Sequence, residues 1–226
     1  MTGVFLQVRL SSSRLPGKAL LKLEGQPVIT HAMRALNRVK ADVYSLLTTE
    51  ESASVLRIFA KQEKWELFSG PRDDVLARYV LAAREFAVTR IVRATGDNPL
   101  VSGHLANDTL DLAFETGAHY AGFTGMPIGT GVEVLEVDAL EQAYAEAEDS
   151  HEREHVSPFL YRRPERFNIA LRQAPDEMCA PKIRVTLDTK EDYQYLRRLY
   201  AALYSNEPLE LHEFVPWLKE NPPHAD

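Results

Sequence analysis

Three short stretches hold residues able to bind a phosphorylated ligand. In "VRLSSSRLPGK" (Val8–Lys18), Arg9, Arg14 and Lys18 supply three fixed positive charges, and Ser11, Ser12 and Ser13 supply hydroxyls. Guanidinium forks and a lysine ammonium both suit phosphate oxygens. Pro16 stiffens the turn, and Gly17 lets backbone approach a ligand closely. The spacing is not the G-x-x-x-x-G-K-[ST] of a Walker loop. A solvated basic turn would use the same residues, and the local pattern does not choose between the two. Taken alone, Asp97 in "ATGDNPLV" reads first as a turn former, and Asp188 in "RVTLDTKED" reads first as a residue in a helix-capping role. Taken together, a basic loop and two carboxylates would hold a nucleoside triphosphate with Mg²⁺, an ion bound by one or two carboxylates plus substrate phosphates.

Those residues need a scaffold that brings them to one place. Residues 3–9 form an apolar run with the pattern of a strand covered on both faces. Val28, Ile29, Ala32, Met33, Ala35, Leu36 and Val39 recur with helical spacing behind Pro27. Strands are expected at Val43–Thr49, in "WELFSG" before Gly70 and Pro71, and at Val88–Thr95. Helices are expected over 51–63, after Arg72, Asp73 and Asp74, and over 103–116. This alternation predicts βαβ units and an α/β fold, a single domain with a mainly parallel, doubly wound sheet. The second half is less regular. It offers strands in "HYAGF" and "GVEVLEV", helices over 138–148 and 152–162, and a late strand Lys182–Thr189. That strand leads into a helix carrying Tyr193, Leu196, Tyr200 and Leu203 as a core stripe, with Thr189 and Asp192 as a capping box. One domain is expected over residues 1–220, followed by a polar, Pro-rich tail over 221–226 that frays. In such sheets ligands bind outside the carboxyl ends of the strands, where the basic loop, Asp97 and Asp188 all fall.

Composition narrows the functional class. The chain has 226 residues, 45% hydrophobic and 26% charged, with a formal net charge of −7, which argues against a surface that coats nucleic acid. No segment has the roughly 18 uninterrupted apolar residues of a membrane span, and the apolar run after Met1 is too short for a signal peptide. Cys179 is the single cysteine, so an intrachain disulfide and a cysteine zinc site are excluded, and a cytoplasmic setting is expected. His31, His104, His119 and His151 share no metal-ligand spacing and are expected in packing or surface roles. His155 is left open.

The stretch "QVRLSSSRLPGKALLKLEGQPVI" resembles the opening of the cytidylyltransferases that make CMP-activated acidic sugars, the acylneuraminate and 3-deoxy-manno-octulosonate enzymes. The likeness is greatest to the spore-coat polysaccharide biosynthesis protein F branch. It continues in the same order through "RDDVLARY", "ATGDNPLV", "PIGTGVEV", "REHVSPFLYRRPERF" and "IRVTLDTKEDYQYLRRLY". The resemblance implies a GT-A-like nucleotide-binding fold, a homodimer, CTP and an acidic sugar as partners, and Mg²⁺ as cofactor. It implies that an acceptor hydroxyl attacks the α-phosphate of CTP and pyrophosphate leaves. By position it makes Lys18, Arg14 and Asp97 catalytic. Arg9, Leu10, Ser11, Ser12, Ser13, Arg14, Lys18, Arg72, Asp73 and Asp74 would bind nucleotide. Pro127, Gly129, Glu133, Glu154 and His155 would face the sugar, and Asp97 and Asp188 would hold the metal. Departures fall at Val8, Ser11, Asn98 and Gly131, where relatives commonly carry alanine, glycine, cysteine or glutamate, and aspartate. Two other readings remain at this point. One is a GT-A glycosyltransferase, whose Asp-x-Asp spacing "RDDV" and "GDN" do not supply. The other is a nucleotide-binding relative without turnover.

Overall fold

Three consecutive residues of the first strand, Val4, Phe5 and Leu6, are wholly buried, so that strand has to lie inside a sheet covered on both faces. The computed structural model describes residues 1–223, and residues 224–226 of the expected tail lie outside them. In chain order the elements are β1 (Thr2–Gln7), β2 (Lys22–Leu23), β3 (Gln26–Pro27), α1 (Val28–Leu36), β4 (Val43–Thr48), α2 (Glu50–Glu63), β5 (Glu66–Ser69), α3 (Val75–Glu85), β6 (Arg90–Thr95), α4 (Gly103–Thr116), β7 (Tyr120–Thr124), β8 (Glu133–Glu136), α5 (Val137–Glu146), α6 (Ser150–His155), α7 (Pro158–Tyr161), β9 (Ile169–Gln173), α8 (Lys190–Leu203) and α9 (Leu211–Glu220).

The main sheet has seven strands in the order β5-β4-β1-β6-β8-β7-β9. β4 and β6 flank β1 in parallel, and β5 continues in parallel on β4. β8 runs antiparallel to both neighbours, while β9 is parallel to β7. The sheet is therefore mostly parallel but mixed, as expected of an α/β single domain. Period-two alternation divides the two faces. Val4, Leu6 and Val8 join the core built with α1, α2 and α4. Phe5, between them, joins the opposite core built with α3 and α5.

A third apolar cluster fixes the functional loops. Leu15 and Leu23, from the basic segment, pack with Leu187 of the late segment and with Leu196, Leu199 and Tyr200 of α8. The hairpin of β2 and β3 turns through Glu24 and Gly25, both at positive φ, the backbone twist that two-residue hairpins favour. The expected capping box at Thr189 and Asp192 is formed. His31 has the packing role expected of it. Its Nε2 lies 2.9 Å from the Leu23 carbonyl, its ring contacts Tyr200 and Tyr204 edge-on, and burial lowers its pKa.

Two expectations are corrected, and one strand is added. Lys182–Thr189 is not a strand. It is an extended segment joined to Ile128 by a single bridge at Arg184, because its apolar side chains Val185 and Leu187 face the α8–α9 cluster and not a neighbouring strand. The helix over 152–162 is two short helices, α6 and α7. Between them Val156 takes φ 73 and ψ −64, and the Ser157 N–H donates to the His155 carbonyl at 2.9 Å, a strained γ-turn. β9 was not expected. It is an edge strand whose Leu171, Arg172 and Gln173 are exposed, so it lacks the buried apolar run that marks the others.

Leu187 is wholly buried in the third cluster. Leu187→Ala is expected to cost about 3 kcal/mol, as large-to-small core changes do. Urea unfolding should show a lower midpoint with an unchanged slope.

Candidate functional site

A pocket of about 490 Å³ opens beyond the carboxyl ends of β1 and β6, lined in part by Gln7, Arg9 and Thr95. The basic loop reaches it through a turn that only glycine makes easily. Gly17 takes φ 68 and ψ 17, and the Leu10 carbonyl accepts from the Ser12 and Gly17 N–H groups. Asp97 is delivered by a close approach. A Cβ on Gly96 would lie 2.7 Å from Ile29 Cδ1 and 2.8 Å from Val8 Cβ, so the absent side chain is what lets the end of β6 sit against β1 and α1. Asp188 is delivered by Leu187, buried in the same cluster as Leu15.

The charges converge on one ammonium. Lys18 Nζ is paired with Asp97 and lies 2.8 Å from Asp188 Oδ1, with its side chain only 11% exposed. Arg14 reaches the same Asp188 oxygen at 3.1 Å, and Arg184 reaches its other oxygen at 3.3 Å while also pairing with Asp192 at 2.6 Å. Burial pushes the Asp188 carboxyl up. The hydrogen bond from Lys18 and the charges of Lys18, Arg14 and Arg184 outweigh that and hold it below the ordinary aspartate value.

The donor set fits a divalent cation. Two carboxylates that share one ammonium lie within reach of one ion. Among the described residues no group of three or more His, Cys, Asp or Glu side chains is arranged to hold a metal. The remaining positions would fall to phosphate oxygens and water, as is usual for Mg²⁺.

The opposite wall is α6 and the loop before α3. Ser150, Glu154 and His155 line the pocket from α6, and Arg72 and Asp73 line it from the loop. α6 is short but firmly held. Arg153 donates to the carbonyls of Tyr144 and Ala147 and pairs with Asp74 at 3.0 Å, and buried Glu152 pairs with Arg163 at 2.7 Å. The strained turn at Val156, itself fully buried, closes its carboxyl end. Strained backbone of this kind persists where its surroundings over-determine it.

Arg9, Ser12, Ser13, Arg14, Lys18, Arg72, Asp73, Asp97, Glu154, His155 and Asp188 are thus brought to one pocket. Six other expected site residues lie outside its lining. Leu10 braces the loop through its backbone, and Ser11 is exposed. Asp74 caps α3, accepting from the Ala77 N–H at 2.8 Å. Pro127 and Gly129 belong to the loop beside Arg184, with the Pro127 carbonyl accepting from the Thr130 hydroxyl. Glu133 is held in a polar cluster by Arg93, the Tyr120 hydroxyl at 3.1 Å and the Ser157 hydroxyl at 2.8 Å. Gln7, Thr95, Arg78, Ser150 and Arg184 take part without having been singled out. Arg78 reads in sequence as one polar position on an amphipathic helix, and only its burial distinguishes it.

A sequence model of the cytidylyltransferase family matches residues 4–213. The spore coat polysaccharide biosynthesis protein SpsF of Bacillus subtilis (strain 168) is 28% identical over 224 residues, spanning 96% of this chain and 93% of that protein. A cytidylyltransferase structure from Leptospira borgpetersenii serovar Hardjo-bovis superposes with a TM-score of 0.88 at 28% identity, covering 98% of this chain and 94% of that one. CMP:2-keto-3-deoxy-manno-octonic acid synthetase, solved with CTP, shares the fold with a TM-score of 0.71 at 15% identity, covering 89% of this chain and 98% of that one.

Asp188 has a depressed folded pKa, so its stabilisation is present above the ordinary aspartate value and is lost as pH falls through the folded one. Lys18→Met removes its hydrogen-bond donor. Carboxyl-carbon NMR titration should find Asp188 titrating at higher pH in that variant than in the wild type.

Proposed function

The chain belongs to the cytidylyltransferase family, and on that premise we propose that it transfers CMP from CTP to a hydroxyl of an acidic sugar, a nonulosonic or octulosonic acid, for surface polysaccharide biosynthesis. The observation that carries the reading is Lys18, bridging Asp97 and Asp188 in a pocket that also holds Arg14, Ser12 and Ser13. The polysaccharide context is supported by the name of the SpsF relative.

In the reaction the acceptor hydroxyl oxygen forms a bond to the α-phosphorus as the bond to the β-phosphate bridging oxygen breaks. Pyrophosphate leaves, and the hydroxyl proton passes to solvent or a nearby base. Catalysis here needs positioning and neutralisation of charge, not a covalent nucleophile. Arg14 and Lys18 meet phosphate oxygens, and the Ser12 and Ser13 hydroxyls hydrogen-bond them. Asp97 and Asp188 would hold Mg²⁺, which would supply neutralisation of the triphosphate's charge. The acceptor lies against α6, where Ser150, Glu154 and His155 face the pocket. Family likeness supports a cytoplasmic homodimer. No helix of the described residues is long and apolar enough to cross a membrane.

The glycosyltransferase reading is weakened by geometry as well as by spacing. In "RDDV", Asp74 is occupied as the cap of α3 and the partner of Arg153, and Asp73 faces Arg72.

Pyrophosphate release should be measured with each of the four nucleoside triphosphates, Mg²⁺ and a panel of nonulosonic and octulosonic acids. Release is expected with CTP and one acidic sugar, and Asp97→Asn should lower it by about 100-fold or more, the scale of losing a preorganised electrostatic contact. No release with any combination, or wild-type release from the Asp97→Asn protein, would overturn the proposal.

A further inference from the structure

Apart from exposed Arg9, the uncompensated positive charge of the pocket is not in the basic loop. Lys18 and Arg14 are already met by Asp97 and Asp188. The charge that lacks a counter-ion lies on α3, at Arg78. This residue is 1% exposed and lines the pocket. Its Nε donates to the Pro71 carbonyl at 3.1 Å, and its Nη2 donates to the same carbonyl at 2.5 Å and to the Arg72 carbonyl at 3.1 Å. Carbonyls orient a guanidinium but do not neutralise it. No carboxylate among the described residues lies within 4.0 Å of it.

Asp74 and Glu51 favour the Arg78 charge only from beyond ion-pair distance, and each has a nearer partner. Asp74 caps α3 and pairs with Arg153, and Glu51 faces Arg72 at 3.8 Å. The adjacent Tyr79 phenol is pushed up to about 12 by burial and stays neutral. Arg9, exposed and also lining the pocket, is near enough to add a repulsive charge. Arg78 Nη1 makes no hydrogen bond among the described residues. The residue lines the pocket, so this nitrogen is the donor left for a ligand.

A buried charge is costly unless it is paired, and here the missing partner is on the ligand side. We propose that Arg78, with Arg9, forms an oxyanion subsite separate from the Lys18 bridge. It is filled either by the terminal phosphates of the nucleotide or by the carboxylate of the acceptor sugar. The assignment rests on reading this pocket as the reaction site, but the binding of an oxyanion there can be measured without turnover.

The test is calorimetry and thermal melting of the wild type, Arg78→Met and Arg9→Ala, each with inorganic pyrophosphate, CMP and 3-deoxy-manno-octulosonate as probes. Without ligand, Arg78→Met should melt close to the wild type, because relief of a buried charge offsets the loss of its hydrogen bonds to the Pro71 and Arg72 carbonyls. Its affinity for one oxyanion probe should fall about tenfold or more, the scale of a hydrogen bond to a charged group, with CMP little changed. Arg9→Ala should lower the same affinity. A loss confined to pyrophosphate assigns the subsite to the terminal phosphates, and a loss confined to the sugar acid assigns it to the acceptor carboxylate. Wild-type affinity for both probes in either variant, or a wild type that binds neither, would overturn the proposal. Should Arg78→Met not fold, Arg9→Ala decides alone, since its side chain is exposed. Absence of CTP-dependent turnover would sink the cytidylyl-transfer reading while leaving these binding results standing.

Discussion

The site depends on one ammonium held between two carboxylates. Lys18 reaches Asp97 from the end of β6 and Asp188 from the segment before α8, so three parts of the chain far apart in sequence meet at one nitrogen. Two nearby carboxylates repel unless a cation lies between them. Lys18 meets that requirement in the free protein, which explains why both acids can sit ready at the mouth of the sheet. Arg14 and Arg184 add to the same field at Asp188. The packing beneath serves this geometry: Leu15 and Leu187, close in sequence to Arg14 and Asp188, are buried in one apolar cluster with α8.

The pocket therefore has two electrical halves. Around Lys18 the charges are nearly balanced, which suits a metal ion arriving with its own phosphates. Around Arg78 they are not, because its guanidinium is held by the carbonyls of Pro71 and Arg72 alone. One wall of the pocket is α6, a helix too short to be stable by itself. It is kept in place by Arg153, Glu152 and the γ-turn at Val156, so that Ser150, Glu154 and His155 face the ligand space from a fixed frame.

Much of the first half of the fold was legible in sequence. β1, β4 and β6 are apolar runs at the spacing of βαβ units, and α1 to α4 carry period-3.6 stripes that the cores absorb. The capping box at Thr189 was legible too, because it is a local exchange of hydrogen bonds. The second half was harder to read. Lys182–Thr189 has the alternation of a strand, but its apolar side chains found helices to pack on. β9 has little apolar pattern, because a parallel edge strand with an exposed face needs little. A break after His155 has no local signal at all, since Val156 is a poor residue for positive φ and is held there by its burial.

The same division runs through the site. Residue chemistry alone marked the candidates for phosphate and metal: the arginines, serines and lysine of the basic loop, and the two aspartates at the ends of predicted elements. Their expected meeting place follows from the rule that ligands gather at strand carboxyl ends. Only the tertiary structure decided which charges are already neutralised. It turned Asp74 into a helix cap, enclosed Glu133 in a cluster with Arg93, Tyr120 and Ser157, and left buried Arg78 without a counter-ion. The physical reason is that Coulomb energy depends on distance and burial, and neither is set until remote segments pack together.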